Sequence, residues 1–195
     1  MKLQIKNMVC DRCIRVVREE FDKMNISLTQ ITLGEVETEI EPNAEQLEII
    51  RKTLKENGFA LLSDRKETII EQIKTLIIEE IQYFKGEKPE TMNFSDYHSE
   101  KTGYDYSYIS SLFSAEAGLT IEQYIIAQKI EKIKEWLSYD EMQIAEMAWK
   151  LAYSSPAHLS NQFKKYTGMT PGQFKKNTHS KRNTLDQVGT IHQLK

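Results

Sequence analysis

Cys10 and Cys13 are the two cysteines of this 195-residue chain, and they stand three positions apart. Thiols at that spacing, placed where a strand passes into a helix, come within reach of one ion. The adjoining helix N-terminus is expected to lower their pKa and favour thiolate. Soft thiolates select Cu(I), Zn(II) or similar thiophilic ions. Two sulfurs leave a tetrahedral site incomplete, which suits transfer, sensing or completion by a second chain. A thioredoxin-like redox pair and two inert buried thiols stand beside that reading.

A second chemistry lies at the other end. The formal net charge is −3, yet residues 1–155 hold 19 Lys+Arg against 28 Asp+Glu, while residues 156–195 hold 7 against a single acid, Asp186. A basic block closing an acidic chain points to a polyanionic partner reached by that end. No nucleophile–base pair, phosphate-cradling glycine loop or carboxylate cluster is legible, so no enzyme is read here. The longest apolar runs, such as Leu76-Ile77-Ile78, are too short to span a membrane, and two cysteines do not make a disulfide scaffold. The expected location is the cytoplasm.

The elements that must position these groups differ between the two ends. Leu3 and Ile5 alternate into a strand, and Ile14, Val17, Phe21 and Met24 then recur at helical spacing. Ile26, Leu28, Ile31, Leu33, Val36, Thr38 and Ile40 form a hairpin whose phase slips once, which predicts a bulge. Leu47, Ile50 and Leu54 give a second helix stopped at Gly58, before the strand Phe59-Ala60-Leu61-Leu62. The order βαββαβ predicts an α+β, ferredoxin-like domain over residues 1–63.

The rest of the chain repeats itself. Shifted by 50 residues, YISSLFSAEAGLTIEQY from Tyr108 aligns with HLSNQFKKYTGMTPGQF from His158 without gaps, giving five identities and three conservative pairs in 17 positions. In the second copy 141–152 reads as an amphipathic helix, with Trp149 expected in the core together with Leu159 and Phe163. Ser155 caps the next helix, with Pro156 at its first position and Gly168 as its stop. In the first copy Asp105 takes the cap, Gly118 the stop, and Thr120 with Gln123 a capping box. Each copy is a helix-turn-helix, and the domain 64–177 is expected to be all-α. The helix Ile121–Tyr139 between the copies, roughly 27 Å long, acts as a strut. Asp64 with Glu67 is expected to cap a helix over Lys66–Phe84, almost without a linker after the first domain. Residues 178–195 read as a flexible basic tail.

From about Lys66 to Lys176 the chain resembles the AraC/XylS-type DNA-binding domain, most specifically in LSNQFKKYTGMTPGQFKK. The resemblance implies two helix-turn-helix units that bind double-stranded DNA to regulate transcription. Carried over by position, the second recognition helix presents Ala157, His158, Ser160, Asn161, Lys164 and Lys165. The first presents Tyr106, Ser107, Tyr108, Ser110 and Ser111. Lys129 stands where that family usually has an arginine in the linker helix. The first copy has Ser114-Ala115-Glu116 and Ile125-Ile126 where the second has Lys164-Lys165-Tyr166 and Lys175-Lys176, so it is expected to hold phosphate more weakly. Residues 1–63 are similar to the heavy-metal-associated domain, whose motif M-x-C-x-x-C is Met8-Val9-Cys10-Asp11-Arg12-Cys13. They depart from it at Asn7, where glycine is usual, and at Asn25-Ile26, where glycine-valine is usual.

The expected protein is a regulator whose DNA affinity responds to a thiophilic metal, or to a metal-carrying protein, through its cysteine pair. Two units in one chain can bind DNA without dimerising, which leaves a homodimer open. A metal-trafficking or protein-interaction adaptor with weakened DNA binding is the second reading, supported by the acidic first unit.

Overall fold

The computed structural model describes residues 1–85, 88, 89, 91–140, 142–177 and 182–188. They fall into two compact units, Met1–Ile78 with Lys88–Glu116, and Glu79–Glu87 with Ala117–Lys195.

In the first unit the order is β1 (Lys2–Lys6), α1 (Asp11–Lys23), β2 (Leu28–Thr32), β3 (Glu35–Thr38), α2 (Ala44–Glu56) and β4 (Ala60–Leu61). The four strands form one antiparallel sheet in the order β2-β3-β1-β4. Alternation sets the register: Leu3 lies opposite Val36 and Ile5 opposite Leu61, and the register shifts between Leu28 and Gln30, where the phase slip predicts a bulge. Leu3, Ile5 and Val36 share a core with Met8, Val17, Phe21, Ile50, Leu54 and Phe59. Ile40 does not continue the alternation. The chain bends after Thr38 and leaves its side chain 79% exposed.

Three residues after β4, α3 (Arg65–Gln82) begins, its second amide bonded to the Asp64 carboxylate at 2.8 Å. It is followed by α4 (Phe94–Thr102), α5 (Tyr106–Ala117), α6 (Ile121–Tyr139), α7 (Ile144–Lys150), α8 (Pro156–Thr167) and α9 (Pro171–Lys176). The starts of α4, α5 and α6 precede those of α7, α8 and α9 by the 50 residues of the repeat. Ile109 and Phe113 of α5, like Leu159 and Phe163 of α8, are fully buried. Asn93, Thr120, Ser155 and Thr170 each cap a helix with a side-chain oxygen, and Thr120 and Thr170 form capping boxes with Gln123 and Gln173. Such caps contribute about 1 kcal/mol each. Gly168 ends α8 at φ 76°, in the left-handed region that favours glycine.

In the second unit α6 packs on α9, and α8 on both α7 and α9. Phe163 meets Phe174 edge to face at 5.4 Å. The described part of the C-terminal segment is held against α6: the backbone and side-chain amides of Asn183 both donate to the Glu131 carboxylate at 3.0 Å, and Arg182 pairs with Glu135 at 2.9 Å. Val188 is buried. Residues 178–181 and 189–195 of the expected tail lie outside the described residues. Trp149 also departs from expectation. It is 79% exposed on α7, because Met147 and Ala148 take the inward positions of that short helix. No helix among the described residues is long and apolar enough to cross a membrane.

His98 of α4 is buried beside Phe94 and Tyr97, and neither ring nitrogen has a hydrogen-bond partner among the described residues. Burial lowers its pKa to about 4, so the folded state holds it neutral while the unfolded chain takes up a proton nearer 6.5. The stability this residue supports is present above about pH 6.5 and is lost as pH falls toward 4. Urea-denaturation midpoints measured across that window are expected to fall with pH in the native chain and to fall less steeply in His98→Leu.

Candidate nucleic-acid interface and thiol pair

The Ser155 hydroxyl accepts from the His158 amide at 3.1 Å and starts α8. With Leu159 and Phe163 turned inward, Ala157, His158, Asn161, Lys164 and Lys165 are left exposed, and Ser160 half-buried. Positions 157, 158, 161, 164 and 165 recur at three- and four-residue spacing and therefore share one face. Two ammonium groups at the C-terminal end of that face suit phosphate, and the Asn161 amide ahead of them suits base edges.

The same phase on α5 exposes Ser107, Tyr108 and Ser111, with Tyr106 and Ser110 half-buried. This helix carries no lysine or arginine. Its cap is the Asp105 carboxylate, which accepts from the Ser107 amide at 2.8 Å. Hydrogen bonds from the Ser107 hydroxyl and amide hold that acid below its usual pKa, so a negative charge stays at the head of the helix. Tyr108 packs on Tyr104 at 5.5 Å, and Tyr104 accepts from the Arg65 guanidinium at 2.7 Å. The two helices match in fold and differ in charge.

Lys129 is half-buried on α6. Its ammonium donates to the Leu151 carbonyl at 2.6 Å and lies 5.1 Å from the centre of the Tyr153 ring. Tyr153 and Ser154 are absent from the sequence-based site, yet both touch α8. The Tyr153 hydroxyl donates to the Gln162 side chain at 2.6 Å, and the Ser154 hydroxyl lies 3.0 Å from His158 Nδ1. The available signal was an aromatic and a hydroxyl residue directly before the capping Ser-Pro.

At the other site, Cys10 precedes α1 as its N-cap and Cys13 lies in the first turn. The sulfurs are 3.2 Å apart and both residues are half-exposed. Two sulfurs on one tetrahedral zinc, at about 2.3 Å each, stand roughly 3.8 Å apart, so a small side-chain rotation suits the pair to one ion. Among the described residues no group of three or more His, Cys, Asp or Glu is placed to hold a metal. Within that part of the chain the two thiols stand as a pair. Asn7 and Asn25 have φ of 71° and 54°. Asparagine is among the few other residues that adopt this conformation readily, so the loop keeps a glycine-like backbone. The Asn7 side chain also donates to the Gly58 carbonyl at 3.0 Å.

The expectation that both thiols are acidified needs correction at Cys13. Burial pushes its pKa up, and the backbone hydrogen bond from Val9 opposes this only in part. In Cys10→Ser, the alkylation of Cys13 by iodoacetamide is expected to be slower at pH 7.5 than that of free cysteine. Its pH–rate profile is expected to lie at higher pH; a profile at lower pH would show that the helix terminus outweighs burial.

Residues 98–177 match the family described as "Helix-turn-helix domain". Over 77 residues, 40% of this chain and 10% of the relative, the chain is 31% identical to the uncharacterized HTH-type transcriptional regulator YtdP of Bacillus subtilis. Over 79 residues, 40% of this chain and 26% of the relative, it is 30% identical to the melibiose operon regulatory protein of Escherichia coli. The chain thus spans between a tenth and about a quarter of the length of these curated relatives. Among solved structures it is similar to the C-terminal domain of AraT, a response regulator from Geobacillus stearothermophilus, with a TM-score of 0.48 and 20% identity over 62% of this chain and 97% of that one.

Proposed function

We propose that this chain is a sequence-specific, DNA-binding transcription regulator of the AraC/XylS type. The observation that carries the proposal is the single exposed face of α8, on which Asn161 precedes Lys164 and Lys165. In helix-turn-helix proteins the N-terminal residues of the recognition helix contact base edges, while lysines hold phosphate. The relatives named above as transcriptional regulators support the reading, as does the net positive charge of the C-terminal block. In this reading Tyr106, Ser107, Tyr108, Ser110 and Ser111 of α5 meet DNA through hydroxyls and contribute little phosphate attraction.

The N-terminal domain is proposed to be a ferredoxin-like, heavy-metal-associated-like module. The element order, the sheet order β2-β3-β1-β4 and the left-handed Asn7 beside the cysteine pair support this. Cys10 and Cys13 would hold a thiophilic ion such as Cu(I) or Zn(II), or receive it from a metal-carrying protein, with DNA affinity responding. The charge of α5 favours a second reading, a metal-trafficking or protein-interaction adaptor with weakened DNA binding.

DNA titration at several salt concentrations separates the two. Lys164→Ala and Lys165→Ala are each expected to flatten the slope of log K against log salt by about 0.9, the signature of one lost phosphate contact. Asn161→Ala is expected to change sequence preference instead. Affinity near the non-specific level on every duplex would favour the adaptor.

Metal response is tested in the same assay. Cu(I) or Zn(II) is expected to shift the operator affinity of the native chain and to leave that of Cys10→Ser and Cys13→Ser unchanged. An equal shift in all three would remove the cysteine pair from the response.

A further inference from the structure

We infer that Lys129 is a positioning residue which, through Tyr153, sets the pose in which His158 reads a base edge. The inference rests on the DNA-binding reading above and deepens it. Its observations all lie within the second compact unit.

Leu151 ends α7, and its carbonyl receives the Lys129 ammonium. The next residue, Ala152, has φ of 53°, a conformation that side chains other than those of Gly, Asn and Asp rarely adopt. The turn into α8 is therefore held in a demanding conformation, with a lysine of the long helix fastened to its first carbonyl. The same ammonium lies over the ring of Tyr153, whose amide donates to the Ala148 carbonyl at 2.8 Å. Tyr153 then reaches α8 at two points. Its hydroxyl bonds Gln162, and its ring meets the His158 imidazole edge to face at 5.3 Å and 88°. Ser154 holds Nδ1 of the same imidazole.

His158 is thus exposed but not loose. One ring nitrogen is engaged, one side of the ring is met by an aromatic, and Nε2 makes no hydrogen bond among the described residues. The bond at Nδ1 fixes the role of Nε2. If the Ser154 hydroxyl donates, Nε2–H is a donor and matches the acceptors of guanine. If it accepts, Nε2 is an acceptor and matches the amino group of cytosine or adenine. Asn161, three residues on and on the same face, reads the neighbouring position. Lys129, already bonded to a carbonyl and half-buried, does not supply a phosphate contact, unlike the exposed Lys164 and Lys165.

The test uses the full chain and a duplex that the native protein selects from a random pool. Affinities for that duplex and for each of its single-base variants are measured at several KCl concentrations, with a thermal melt of each protein. His158→Ala is expected to lose about tenfold discrimination at one or two adjacent base pairs. Lys129→Met is expected to lose discrimination at those same pairs while keeping the native salt slope, and Lys129→Arg to restore it. Tyr153→Phe keeps the ring, loses the bond to Gln162, and is expected to fall between them. A slope flattened by about 0.9 in Lys129→Met would overturn the inference by making Lys129 a phosphate contact. So would equal weakening on every duplex, a merely structural effect, or an unchanged preference in His158→Ala. If the native chain selects no duplex at all, the DNA-binding reading itself fails, a result distinct from the other three.

Discussion

Short helices cannot hold their own direction in water, and everything proposed for this protein hangs on that limit. α7 has seven residues and α9 has six, well below the length at which an isolated helix is stable. They exist because Met147, Ala148, Leu159, Phe163 and Phe174 seal a common core against α6. Truncating a fully buried phenylalanine costs about 3–5 kcal/mol, several times the contribution of any one cap. The core therefore sets where the outward face of α8 points. The caps set only where the helix starts and stops.

The two copies of the repeat show how one backbone can serve two electrostatic purposes. Ile109 and Phe113 do for α5 what Leu159 and Phe163 do for α8, and all four are fully buried. Their outer faces have diverged freely, because solvated positions carry little packing constraint. One face carries two lysines; the other carries hydroxyls behind an ionised aspartate cap. Attraction of such a protein to a polyanion would come from the lysine-bearing end, because the hydroxyl-bearing face has no positive charge to supply it. In the N-terminal domain asparagine likewise serves the backbone, adopting positive φ at Asn7 and Asn25.

Much of this was legible in the residues. Alternation and helical spacing locate the four strands and the helices α1 and α2, the phase slip locates the bulge, and the capping residues place α6 and α8 at their observed starts. Where the reading failed, the cause is three-dimensional. Trp149 lies on a seven-residue helix whose inward positions are taken by Met147 and Ala148, so its hydrophobicity says nothing about its side. Ile40 keeps the strand period after the strand has ended. Residues 182–188 lack apolar periodicity, yet they dock on α6 through Asn183, a contact that depends on where Glu131 is presented.

Sequence alone determined the duplication, the charge contrast between the two copies and the closeness of the two thiols, because each is a matter of spacing along one chain. Tertiary structure decided which side of each helix faces water, that burial raises the Cys13 pKa, and that Lys129 spends its charge on a carbonyl 22 residues away. Those outcomes depend on what the fold brings alongside each group, and desolvation and hydrogen-bond partners are properties of neighbours in space.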